Sequence, residues 1–95
     1  MTSRVIELKC WPEPFLAIKR GEKTFEARLN DRGFMIGDTL RLKEFDPNKS
    51  LGMSSFGYSG NYIDVEVTYI LHGGKFGIDP SYVVISIKKI EETEK

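Results

Sequence analysis

The chain reads as a small α+β protein, mainly β: a mixed but mostly antiparallel barrel of about five strands with one short N-terminal helix. Three observations predict this. Five separate stretches alternate apolar and polar residues with a period of two, and only one stretch shows helical spacing. Gly, Asn, Asp and Pro cluster between the alternating stretches, so the strands are short. At 95 residues the chain holds one domain, burying roughly 60–65% of its unfolded surface, enough for one core and one shallow cleft.

Residues 4–10 form the first strand, with Ile6, Leu8 and Cys10 on the core side and Val5, Glu7 and Lys9 on the other. Trp11-Pro12-Glu13-Pro14 turns the chain into a helix over Pro12–Arg20, where prolines are tolerated in the first turn. Trp11, Phe15 and Ile18 recur at i, i+4 and i+7, Leu16 widens the stripe, and Gly21 supplies a left-handed stop after cationic Lys19 and Arg20. The second strand covers 23–29. Its alternation sets Phe25, Ala27 and Leu29 toward the core and Thr24, Glu26, Arg28 and Asn30 on the opposite face.

Turns at 30–33 and 35–38 lead to a third strand over Thr39–Phe45. Residues 46–60 are loop by composition, and a loop that long in a small domain is functional or mobile. The fourth strand, 61–71, sets Ile63, Val65, Val67, Tyr69 and Leu71 inward. After His72-Gly73-Gly74 and a loop to Ser81, the fifth runs from Tyr82 to Ile87, and 88–95 is a charged, fraying tail.

Hydrophobic and charged fractions of 40% and 29% are those of a folded globular domain, and the formal net charge is zero. Zero net charge argues against broad duplex binding, which shows as a basic excess, and leaves room for a local basic patch. Such a patch exists: Lys19, Arg20, Lys23, Arg28 and Arg32 are five of the 14 Lys and Arg. Within it a carboxylate and a guanidinium stand two residues apart on one strand face, with Lys23 at its entrance. The bland reading of Glu26 and Arg28 is a surface ion pair contributing about 0–1 kcal/mol. The functional reading is a site in which arginine forks meet phosphate or a base carbonyl and the carboxylate accepts from an exocyclic amine.

Trp11, Phe34, Phe56, Tyr58 and Phe76 are either core plugs or stacking platforms for an unpaired base. Lys9 and Arg32 are candidates to join Lys23 around a ligand, and His72, Gly73 and Gly74 read as a turn whose glycines allow positive φ and turn amides toward a ligand. One cysteine excludes an intramolecular disulfide, and Cys10 with His72 cannot make a protein-only zinc site, so neither metal nor cofactor is expected. The same two residues suggest a thiol and its base, against the commoner role of a lone cysteine as a small hydrophobe. No apolar run approaches the ~20 residues that span a membrane, and Met1-Thr2-Ser3-Arg4 lacks a signal core, so a cytoplasmic location is expected.

The pattern Gly21-x-Lys23-x-x-Glu26-x-Arg28 followed by Gly37-Asp38 resembles the signature of ASCH domains, members of the PUA-like superfamily of small β-barrels associated with RNA. Glu7-Leu8-Lys9-Cys10-Trp11-Pro12, Asn30-Asp31-Arg32-x-Phe34, the run from Val67 to Gly77 and Tyr82-Val83-Val84 extend it to a short, uncharacterised ASCH-like family of bacteria and their phages. The resemblance implies a PUA-like barrel with a cleft beside the start of strand two, binding RNA or a modified nucleotide. Ligand-binding candidates are then Lys9, Trp11, Lys23, Glu26, Arg28, Arg32, His72, Gly73, Gly74 and Phe76. It also implies an alternative, a metal-independent amidohydrolase acting on an acylated nucleoside such as N4-acetylcytidine. There a lysine supports a threonine nucleophile three residues on. Lys23 matches the lysine, but Glu26 stands at the nucleophile position, so Lys23, Thr24 and Glu26 are the catalytic candidates. A protein-interaction module built on loop 46–60 is the third reading.

Overall fold

The computed structural model describes residues 4–49 and 57–90. The stacking candidate Phe56, residues 50–56 of the predicted loop and residues 91–95 of the predicted tail lie outside them. Strand β1 (Val5–Cys10) leads to helix α1 (Pro12–Lys19), β2 (Phe25–Leu29), β3 (Thr39–Phe45), a 3-10 turn (Pro47–Lys49), β4 (Tyr58–His72) and β5 (Tyr82–Lys89). The fold is mainly β, as expected: one five-stranded mixed sheet curled into a half-barrel, with one short helix. Its strand order is β1-β3-β4-β5-β2, with β1 parallel to β3 and every other pair antiparallel.

The topology positions the site. β1 and β2 follow each other in the chain but occupy opposite edges of the sheet, and the curl brings those edges near one another without pairing them. The concave face carries the core: Ile6, Leu8 and Cys10 from β1, Leu40 and Leu42 from β3, Val65 and Val67 from β4, and Val83, Ile85 and Ile87 from β5. Phe15 and Ile18 of the helix, with Phe34, complete it. Gly21 closes the helix at φ +81, and the amides of Gly21 and Glu22 reach back to Ile18 O and Ala17 O.

The structure corrects several expectations. The alternation in β2 is right, but its faces are inverted: Phe25 and Leu29 are 48% and 46% exposed, whereas Glu26 is only 5% exposed. The reason is register. Glu26 lies opposite Ile85 and Arg28 opposite Val83, both core residues of β5, so the polar residues of β2 share the core face. Trp11, at 61% exposure, does not join the Phe15–Ile18 stripe, because it is the extended residue ahead of the first turn; Leu16 is exposed too. β4 begins at Tyr58, inside the predicted loop, and a bulge between Val67 and Tyr69 shifts its phase. Beyond the bulge Tyr69 turns outward and Ile70 packs on the core. Lys88 and Lys89, expected in the tail, extend β5 opposite Glu66 and Val65, and Lys89 Nζ donates to Lys19 O at 2.8 Å.

Gly37-Asp38 is structural, as its turn chemistry suggests. The buried Asp38 carboxylate accepts from Arg4 Nε (3.1 Å), Arg4 Nη2 (2.6 Å) and the Met35 amide (2.8 Å), pinning the start of β1 to the turn before β3. The Arg4 hydrogen bond, with the Met35 amide and against the cost of burial, holds this carboxyl below its usual range. A carboxyl with a depressed folded pKa stabilises above its unfolded pKa, and that stability is lost as pH falls through the folded value. Asp38→Asn is therefore expected to cost about 1–3 kcal/mol at pH 7. Urea unfolding at pH 7 and again below the ordinary aspartate value of about 3.9 should show the gap between wild type and variant narrowing in acid. An unchanged gap would count against the charged contact.

Candidate functional site

Where the edges of β1 and β2 face each other the half-barrel leaves a slot of about 550 Å³. Buried Leu8, Phe34 and Glu26 line its base together with Arg28; Glu7, Lys9, Lys43 and Tyr58 form one side, and Ala27, Leu29, Asp31, Arg32 and Tyr82 the other. The slot thus exists because the sheet does not close on itself.

Glu26 organises the base of the slot. Its Oε1 accepts from Lys23 Nζ at 2.6 Å, and its Oε2 accepts from Arg28 Nε at 3.1 Å and Arg28 Nη2 at 2.9 Å. The local sequence dictates this: Arg28 is two residues on, hence on the same strand face, and Lys23 precedes the strand closely enough to fold back. A carboxylate this buried needs such partners, since an unpaired charge there would cost several kcal/mol. Lys23 Nζ also donates to Phe25 O at 2.8 Å and lies 4.8 Å from the Phe25 ring centre, so its amine holds Glu26 from behind and does not line the slot.

Two arginines from the β2 side reach across to the edge of β1. Arg28 Nη2 donates to Lys9 O at 2.6 Å, and Arg32 Nη1 lies 3.5 Å from Glu7 O. The Thr39 amide donates to Arg4 O, so even-numbered residues of β1 bond to β3 and the odd ones turn their backbone groups to the slot. Side-chain guanidinium groups therefore stand where a closed barrel would have a backbone ladder. Arg28 Nη1 has no partner among the described residues and remains available to a ligand.

Of the sequence-predicted residues, Lys9, Glu26, Arg28 and Arg32 meet in the slot, with Lys23 behind Glu26. Thr24 is not part of the slot lining and borders a separate small cavity with Ile18, Val65 and Ile87. Trp11 is exposed but lies outside the slot lining, as do His72, the last residue of β4, and Gly73, Gly74 and Phe76 in the connection to β5. The expected role of the glycine amides is corrected: Gly73 N donates to Tyr82 O at 2.8 Å and Gly74 N to Ile78 O at 2.7 Å, so both are spent inside the turn. Of these two glycines only Gly74 has positive φ. Cys10 is buried, and burial, followed by the negative charge of Glu26, pushes its thiol up to about 11. Such a thiol is protonated at neutral pH and is no nucleophile there.

Glu7, Lys43 and Tyr82 are not singled out as site residues by the sequence, whereas the stacking candidates Phe34 and Tyr58 do line the slot. Lys43 enters because β1 and β3 are parallel with Lys9 opposite Lys43, a long-range pairing that no local pattern announces. Among the described residues no group of three His, Cys, Asp or Glu could hold a metal ion, and no helix is long and apolar enough to cross a membrane.

The sequence profile of a family described as a domain of unknown function, DUF3850, matches residues 5–87. The chain belongs to this family. The match runs from the first residue of β1 to Ile87 in β5, so the DUF3850 domain includes both sides of the slot and all of its base. No curated protein matches the chain.

Proposed function

We propose that this DUF3850 domain is a binding module of the PUA-like, ASCH type, holding RNA or a nucleotide-like ligand in the slot from the cytoplasm. The observation that carries this reading is a buried Glu26 clamped by two cations at the base of an open slot, beside an uncommitted guanidinium nitrogen. Arg28 Nη1 offers a single donor nitrogen, and the half-exposed Arg32 a planar fork, to phosphate. The remaining lone pair of Glu26 Oε1 accepts from a base amine, and Tyr58 and Tyr82 supply ring faces. The volume suits a nucleotide-sized guest.

The amidohydrolase is the second reading, favoured by the Lys23 amine at 2.6 Å from the residue that stands at the nucleophile position. It requires a nucleophile that the slot does not offer in Thr24 or in the protonated Cys10. The interaction-module reading rests on loop 46–60, of which residues 50–56 lie outside those described.

An amide NMR titration with cytidine 5′-monophosphate, N4-acetylcytidine and a short single-stranded RNA tests these readings, with nucleoside hydrolysis followed in the same tube. Saturable shifts at residues 26–32 without product are expected. Arg32→Ala, which removes a half-exposed side chain, should weaken binding roughly 10-fold or more at unchanged thermal stability, while Thr24→Ala binds as wild type. Product formation abolished by Lys23→Ala would put the hydrolase first. No shift in the slot with any of the three would remove both nucleic-acid readings.

A further inference from the structure

The outward face of β1, β3 and β4 carries a feature that begins at one side of the slot and extends beyond it. Three cations stand over three aromatic rings: Lys9 Nζ is 4.6 Å from the Phe45 ring centre, Lys43 Nζ 4.9 Å from Tyr58, and the Arg41 guanidinium carbon 4.4 Å from Tyr62. They form one continuous platform. Lys9 lies opposite Lys43 across the parallel pair, Lys43 lies opposite Tyr62 across the next, and the Phe45 and Tyr58 ring centres are 5.1 Å apart.

This platform is joined to the slot. Lys43 and Tyr58 line the slot and also a second recess of about 340 Å³, whose far end is Tyr62, still 51% exposed. Two acids on this face are matched to its cations: Asp64 takes both Arg41 Nε and Nη2, and Glu7 lies 3.6 Å from Lys43. The face therefore presents cationic groups and ring surface in alternation, Lys9 being the cation that is paired to no carboxylate among the described residues. Single-stranded nucleic acid asks for both at each step, a cation for the phosphate and a flat face for the base. A lipid surface would want a wider basic patch.

We propose that this face is a second subsite. A single-stranded polynucleotide that places one nucleotide in the slot continues over Lys43 and Tyr58 and stacks a neighbouring base on Tyr62. The inference rests on the slot reading above and extends it, because it makes the ligand a polymer and not a free nucleotide.

The test is fluorescence anisotropy at one fixed salt concentration, using a labelled single-stranded cytidine hexamer as RNA and as DNA, with cytidine 5′-monophosphate as competitor. The hexamer is expected to bind at least 10-fold tighter than the mononucleotide. Tyr62→Ala should cost about 10-fold of that affinity, in line with the loss of one stacked base, and leave mononucleotide binding and thermal stability unchanged. The tighter of the two hexamers identifies RNA or DNA as the occupant. A hexamer no tighter than the mononucleotide, or one indifferent to Tyr62→Ala, overturns the second subsite and leaves the slot reading standing. Failure of the mononucleotide and both hexamers to bind overturns the slot reading itself.

Discussion

Arg28→Met is expected to lower the unfolding free energy by about 3 kcal/mol, although Arg28 sits on an edge strand beside an open slot. The substitution removes both bonds to Glu26 Oε2 and the bond to Lys9 O. It leaves a carboxylate that is 5% exposed with Lys23 alone. Removing one partner of a buried ion pair typically costs about 3–5 kcal/mol, and the low end applies because Lys23 and Arg28 keep 21% and 24% of their side-chain exposure. In a domain of this size each kcal/mol moves the melting temperature by about 4–8 °C, so a loss of more than about 10 °C should appear in a thermal melt. Adding Glu26→Gln should restore part of it, since the stranded charge is then gone. A single variant within about 0.5 kcal/mol of wild type would reduce the cluster to an ordinary surface pair.

The same residues show what a sequence can and cannot reveal here. Period-two spacing says that Glu26 and Arg28 share a face and that Phe25 and Leu29 share the other; it does not say which face looks inward. An apolar set is the natural choice for the core, and in β2 it is wrong, because the antiparallel register with β5 sets Glu26 against Ile85. Local chemistry hides the resolution in plain view: Lys23 and Arg28, within three residues of Glu26, are the partners that make its burial tolerable. The core of β1, β3 and β5 was legible because each strand has one face without charges near its centre. The phase of β4 beyond Val67 was not, since a bulge leaves no mark in the alternation. The slot itself depends on β1 and β2 occupying opposite edges, a property of topology alone.

Gly73→Ala should be about as damaging as the loss of Arg28, for a steric reason. Its backbone lacks the positive φ that usually protects a glycine, and a reading from turn chemistry would rank Gly74, at φ +94, as the more sensitive of the two. The surroundings reverse the order. A methyl group on Gly73 would lie 1.8 Å from Asp79 O and 2.6 Å from Tyr82 O, both backbone atoms, whereas one on Gly74 would meet nothing within 4 Å. The contact cannot be relieved by a side-chain turn. Asp79 O accepts the Tyr82 amide at 2.9 Å, Asp79 Oδ1 accepts the Ser81 amide at 2.8 Å, and the Gly73 amide itself bonds to Tyr82 O. Alanine at Gly73 must therefore pry residues 79–82 away from the end of β4, at about 3 kcal/mol, the upper end of overpacking costs. Gly74→Ala should cost only about 1–2 kcal/mol, for a side chain held in the left-handed region. Tyr82 belongs to the displaced segment and also lines the slot, so Gly73→Ala should weaken slot binding in the fraction that remains folded. Denaturant unfolding of the two variants side by side decides the matter: a larger loss for Gly74→Ala would mean that conformational freedom, and not close approach to Asp79, is what the turn requires of this pair.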